Sequence, residues 1–172
     1  MKQLAGTLGS LRALKWGTRF AYTLFLAFIF VGYLVMALLA AERSGFSSEQ
    51  IVGRYVGDDQ TSFGMSYGEM LEVTHFHLFS MPLLLFVMGH LFLLSFWPLR
   101  VKVSLVIACA VGMVCDLSAP WLIHYVSSDF AQLKNIGRVL MGAGFLAFTL
   151  VPIWEMWFRR SPAVKADDSA VS

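Results

Sequence analysis

The sequence predicts an all-α integral membrane protein, a four-helix bundle whose N and C termini are both cytoplasmic. Of its 172 residues, 58% are hydrophobic and only 14% are charged, whereas soluble domains are nearer to about 25% charged. Four apolar runs are each long enough to cross a bilayer, which takes about 20 residues. Lipid leaves free amide groups without partners, so these runs must be helical. The composition therefore excludes an ordinary soluble enzyme.

The four apolar runs divide the chain into spans and connections. The predicted spans are residues 20–41, 71–96, 103–126 and 136–158. The first run starts late in the chain and is longer than a signal-peptide core, so we expect a retained span. The remaining segments are a cytoplasmic segment 1–19, with leucines at helical spacing that predict an interfacial helix over 4–18, a periplasmic loop 42–70, and a cytoplasmic tail 159–172.

The orientation follows from the lysines and arginines, which favour the cytoplasmic side of a membrane. Nine of them lie in the N-terminal segment, the second-to-third connection and the tail, whereas four lie on the other side. Both termini should therefore face the cytoplasm of a bacterial inner membrane. The basic residues form no stripe of the kind that binds nucleic acid, so we expect no nucleic-acid partner.

The periplasmic loop contains a helix-start signal. Ser47 is followed three positions later by Gln50, and an apolar pair comes next. A serine and a glutamine at this spacing form a capping box, which opens a helix. Gly57 is expected to end this short helix.

All four histidines lie inside predicted spans, where polar side chains are costly and are candidates for function. His75 and His77 lie near the outer end of the second span, and His124 lies near the outer end of the third. The two spans run in opposite directions, which places these three histidines at a similar depth. A haem iron with two imidazole ligands needs that arrangement. His90 lies roughly 20 Å deeper than His77 and has no histidine at its level.

Helix geometry separates the two outer candidates on the second span. His75 and His77 are about 200° apart around the axis, whereas His75 and His90 are about 60° apart. We therefore expect His75 and His90 to line one interior face, and we expect His75 and His124 to be the iron ligands. Arg138 is expected to meet the haem propionates. Small residues could admit the macrocycle or could serve helix packing: Gly89, Gly112, Gly142, Ala143 and Gly144.

Acidic side chains lie within the third and fourth predicted spans as well. Asp116 is a candidate proton relay, or a carboxylate held inside the bundle by Arg138. Glu155 precedes Arg159 by one helical turn, so the two are expected to form an ion pair.

Other readings of the histidines stay open. Glu72 and His75 share a helix face, as in carboxylate metal centres, and could hold a metal other than haem iron. The histidines could also line a quinone site, or they could only pack and form hydrogen bonds within the bundle.

The four spans, the cytoplasmic termini and the histidines on adjacent helices resemble small bacterial inner-membrane cytochrome b-like subunits, which carry electrons between quinol and a periplasmic partner. The matching residues are His75 or His77 with His124, together with His90. The first span, which often carries a ligand in such subunits, has no histidine. The resemblance implies haem b, a quinone and a redox protein partner.

The sequence thus predicts a haem-binding electron-transfer subunit that contacts the lipid bilayer and works beside a redox protein or as a homo-oligomer. No nucleophile or phosphate-binding loop supports a stand-alone enzyme. Two alternatives remain. One is a membrane anchor or assembly protein with structural histidines, and the other is a protein that handles a metal or a small solute.

Overall fold

The computed structural model describes residues 11–58 and 62–158. The described residues form five α-helices, four of them long. In chain order the helices are α1 (Trp16–Ser44), α2 (Ser48–Val56), α3 (Tyr67–Leu93), α4 (Leu99–Tyr125) and α5 (Ala131–Trp157). Short 3-10 turns at Leu11–Ala13 and Ser128–Phe130 precede α1 and α5, and a two-residue antiparallel bridge joins β1 (Gly57–Asp58) to β2 (Ser62–Phe63).

The four long helices confirm the predicted all-α membrane bundle. Each is long and apolar enough to span a bilayer. All four begin about one turn before the predicted spans, because a helix continues through polar residues at the membrane surface. The helix α3 ends at Leu93, before the predicted end of its span at residue 96, and a tight turn leads to Pro98. A proline disfavours helix in the residue before it.

The N-terminal segment differs from the predicted interfacial helix over residues 4–18. Residues 1–10 lie outside the described part of the chain, as does the predicted tail 159–172. Within the described part, Lys15 is extended and separates the 3-10 turn from α1. The break is stabilised by Leu11, which is buried in the core, and by Arg19, whose Nε donates to the carbonyl of Leu14 over 2.8 Å.

Glycines bring α4 and α5 close together. A Cβ atom added to Gly137 would lie 2.8 Å from the carbonyl oxygen of Gly112 and 2.8 Å from the amide nitrogen of Asp116. Such spacing lets two backbones pack directly, as small residues do in membrane helices. On the far side of α5, the ring of Tyr33 from α1 stacks on Phe145 with centroids 5.0 Å apart.

The helix α2 lies across one end of the bundle. Its predicted capping box is confirmed, because Ser47 and Gln50 satisfy each other's backbone amides, and it ends at Gly57, whose φ is 95°. Its buried residues Ile51 and Tyr55 join a core cluster with α3, α4 and the start of α5. A second cluster fills the opposite half of the bundle around Phe92 and Phe148.

Candidate functional site

Two histidines lie on the outward face of α3. Positions 75, 79, 83, 86 and 90 recur every three or four residues and are all exposed on the surface of the chain. We call this row the α3 stripe; its members are His75, Phe79, Leu83, Phe86 and His90. At 1.5 Å per residue, its two imidazoles are about 22 Å apart along the helix axis. The stripe therefore spans most of the thickness of a membrane core.

The opposite face of α3 packs into the bundle. It buries Met70, Met88 and Phe92, and His77 on this side is half-buried. The expectation that His75 and His90 share a face is met, but that face points away from the interior. His77, rather than His75, is the histidine on the bundle side.

Backbone carbonyls hold His77 and His124. The Nδ1 atom of His77 lies 2.7 Å from the carbonyl oxygen of Val73, and that of His124 lies 2.9 Å from the carbonyl oxygen of Tyr55. A carbonyl can only accept, so Nδ1 is the donating nitrogen in each of these contacts. His124 thereby joins α4 to the last turn of α2, whose carbonyls lack partners within the helix.

An indole occupies the contact between α3 and α4 near these histidines. Trp121 donates from Nε1 to the hydroxyl of Thr74 over 2.9 Å, and the ring of Tyr67 meets it edge-on at 5.7 Å.

The outer histidines lie on different surfaces. His75 faces outward from α3, whereas His124 forms a hydrogen bond with α2. The outer histidines therefore do not converge on one inward-facing pocket, and within residues 11–58 and 62–158 no cluster of metal-ligating side chains forms.

Asp116 and Arg138, the other predicted site residues, bind different partners from those expected. Lys134 forms an ion pair with Asp116 over 2.9 Å, with the two side chains only 12% and 11% exposed. Arg138 instead donates to the hydroxyl of Ser44 and the carbonyl of Gly45, which ties α5 to the end of α1. Both charged groups thus form contacts between helices of the same chain.

Glu155 accepts a hydrogen bond from the backbone amide of Phe96 over 2.9 Å. Its predicted partner Arg159 lies outside the described residues. The contact connects the end of α5 to the turn between α3 and α4.

The described interior of one chain does not fit a haem. Three of the small residues that could admit a macrocycle already have close neighbours. An added Cβ would lie 2.7 Å from Leu140 at Gly112, 2.9 Å from Cys109 at Gly144 and 2.6 Å from the Tyr33 hydroxyl at Gly142. The α3 stripe differs, because His75 and His90 present imidazoles, the donors that haem iron accepts, on an open surface.

Lys102 is a buried charged residue that the sequence analysis did not identify as a site candidate. It is buried, and its ammonium group donates to the carbonyls of Leu93 and Ser95 at the end of α3. Cations are favoured at helix C-termini, where carbonyls lack helical partners. A lysine shortly after Pro98, at the start of the next helix, was the available signal.

The fold and these contacts define a multi-pass integral membrane protein with a helical bundle. Residues 45–163 match the Aq_1264_TM family, which is described as a transmembrane helical domain, and the chain belongs to this family. The match begins after α1 and includes the other four helices. No curated protein and no solved structure matches the chain.

Proposed function

We propose that this chain is a non-catalytic subunit of the bacterial inner membrane, an anchor or assembly protein that acts by binding another membrane-embedded chain. Its termini are cytoplasmic, and α2 covers the periplasmic end of the bundle. The observation that carries the proposal is the α3 stripe, where His75 and His90 lie on a face that meets the membrane. Imidazoles in lipid are costly, and a bound protein partner would remove that cost.

The polar contacts of the interior support this division of roles. Asp116 forms an ion pair with Lys134. His124 forms a hydrogen bond with the carbonyl of Tyr55, and Arg138 forms one with the hydroxyl of Ser44 at the end of α1. These groups stabilise the fold of the single chain. The outward histidines of α3 are left for recognition between chains.

The size of the protein in mild detergent tests the proposal. The wild type, extracted at its native expression level, should sediment as a complex larger than one detergent-bound chain. A double variant, His75→Leu with His90→Leu, should sediment with a larger fraction of single chains than the wild type while keeping its unfolding temperature. Identical sedimentation of the two proteins would contradict the proposal. The matched control is Phe76→Leu, which changes an exposed α3 residue without removing an imidazole.

A second candidate is a haem-binding electron-transfer subunit that connects the quinone pool to a redox partner. The same two imidazoles favour it, since each could ligate haem b at its own depth, with a second ligand from another chain. Bound haem would supply one-electron transfer, and α3 would hold it through His75 and His90. Residues on the bundle side, such as His77, would not contact it.

An absorption spectrum decides between the two candidates. Protein purified after haem-replete expression should show no Soret band if the anchor proposal is correct. A Soret band with sharp α and β bands on dithionite reduction would establish the second candidate instead. Its loss in His75→Ala or His90→Ala, with retention in His77→Ala, would locate the ligands on the stripe.

A further inference from the structure

The α3 stripe has the features of a surface that binds a copy of itself. His75 and His90 lie at its two ends, with Phe79, Leu83 and Phe86 between them. The three apolar side chains are 72%, 63% and 71% exposed. Their spacing of three and four residues is the spacing by which two helices interlock side chains along a shared seam.

We propose that the α3 stripe is a homodimer interface, at which His75 of one copy bonds His75 of the other and His90 bonds His90. The inference rests on the proposed function in one respect, that the stripe binds a membrane-embedded chain, and it names that chain. The two stripes would pack directly, with the apolar side chains in contact between the histidine pairs.

Membrane insertion brings the matching histidines to the same depth. Every copy of the chain enters the bilayer in one orientation, so the two-fold axis of a dimer must be perpendicular to the membrane. A residue then has its own counterpart at its own level. A stripe with imidazoles at two depths thus meets an imidazole at each of them, which an unrelated helix would match only by chance.

The chemistry of imidazole suits this symmetric pairing. A neutral imidazole has one N–H donor and one nitrogen acceptor, so two of them can form a hydrogen bond with each other. Lipid tails can solvate Phe79 and Leu83 but offer nothing to an imidazole. Hydrogen bonds across helices therefore add to association in membranes.

Neighbouring rings orient both histidines. The ring of His75 meets Phe79 edge-on with centroids 5.1 Å apart, and the ring of His90 stacks on Phe86 at 6.3 Å. Each imidazole is thus supported by an aromatic side chain of the same stripe, one helical turn away. Such contacts restrict the orientations of the two imidazoles before the second copy binds, which lowers the entropy cost of association.

Cysteine crosslinking in native membranes tests the interface. Leu83→Cys, in a chain that also carries Cys115→Ala, should form a disulfide-linked dimer on mild oxidation. Val114→Cys on α4 is the matched control, because Val114 is 61% exposed and Leu83 is 63% exposed. The remaining Cys109 is buried, and Cys115→Ala alone shows whether it reacts. Crosslinking of Leu83→Cys no stronger than that of Val114→Cys would overturn the proposal.

The role of the histidines is tested by energy transfer between differently labelled copies in lipid vesicles. His75→Leu with His90→Leu should weaken association by about tenfold, because two interhelical hydrogen bonds are lost. His75→Asn with His90→Asn should associate more strongly than the leucine variant, because an amide also donates and accepts. Equal association of all three proteins would overturn the histidine pairing.

Two results would separate this inference from the proposed function. If a different membrane chain binds in a manner that depends on His75 and His90, while no homodimer forms, the proposed function stands and the homodimer is wrong. If haem is bound and is lost in His75→Ala and His90→Ala, both direct packing of the stripes and the anchor function are wrong.

Discussion

His124 on α4 donates a hydrogen bond from Nδ1 to the backbone carbonyl oxygen of Tyr55, 2.9 Å away in the last turn of α2. The contact joins a membrane-spanning helix to the helix that covers one end of the bundle. It gives one orphan carbonyl of α2 a partner. His124, identified in the sequence as a candidate iron ligand, therefore links α4 to α2.

We predict that His124→Ala loosens α2 while leaving the four long helices intact. Loss of this hydrogen bond should cost about 1 kcal/mol, which corresponds to about a fivefold larger population of the opened α2. Arg54 is exposed in α2, so the rate of tryptic cleavage after Arg54 in detergent measures the opening. The control is His77→Ala, because the Val73 carbonyl already has a partner within α3. Equal cleavage of both variants would refute the role of His124.

We predict that the ion pair between Asp116 and Lys134 is worth more than a surface pair, because both side chains are nearly buried. Asp116→Asn alone leaves the nearly buried ammonium group of Lys134 without a counter-charge, although it keeps its hydrogen bond to the backbone carbonyl of residue 116, and should cost about 3 kcal/mol. Adding Lys134→Met should restore much of the loss, since no unpaired charge then remains. Unfolding by SDS in mixed micelles gives the three free energies, and additive losses in the double variant would contradict the prediction.

We predict that Gly137→Ala forces α4 and α5 apart. The new methyl group would lie 2.8 Å from backbone atoms of Gly112 and Asp116, which cannot move independently of their helix. Overpacking of this kind should cost about 2 kcal/mol. Gly32→Ala is the control, since an added Cβ there meets nothing within 4 Å. Similar unfolding temperatures of both variants and the wild type would show that the close approach is unimportant.

We predict that residues 60 and 130 face the periplasm, whereas residues 100 and 170 face the cytoplasm. Reporter proteins fused after each of these residues should give the corresponding signal. The prediction follows from the nine basic residues on one side and four on the other. Alkaline phosphatase and a fluorescent protein that matures only in the cytoplasm report the two outcomes. A cytoplasmic signal after residue 60 would invert the orientation proposed above.

The sequence was sufficient to predict the spans and the helix α2, because hydropathy and local capping determine them. Each long helix follows a continuous apolar run, and Ser47 with Gln50 begins α2 as expected. These features depend on neighbouring residues along the chain and on the need to satisfy the backbone in lipid.

The sequence was not sufficient to predict which face of α3 points inward. A helix in lipid is apolar on all sides, so the pattern of polar and apolar residues does not mark its packed face. The geometry of one helix placed His75 and His90 together, but their direction depends on where α4 and α5 pack. The glycines Gly112 and Gly137 mark the faces by which α4 and α5 pack on each other, but they do not mark the packed face of α3.

The partner of Asp116 was missed for a simpler reason. The fourth span was predicted to begin at residue 136, whereas α5 begins at Ala131. The earlier start places Lys134 in the first turn of the helix, beside α4. A shift of a few residues at one helix end thus decided whether Lys134 or Arg138 reached the carboxylate.

The helix α1 determines whether the two ends of the membrane domain lie in the same compartment. The matched residues 45–163 contain three membrane crossings, α3, α4 and α5. An odd number of crossings leaves the two ends of this stretch in different compartments. By adding a fourth crossing, α1 makes the number even and returns the chain to the compartment in which α5 ends. Its presence therefore decides which compartment receives anything attached ahead of the domain.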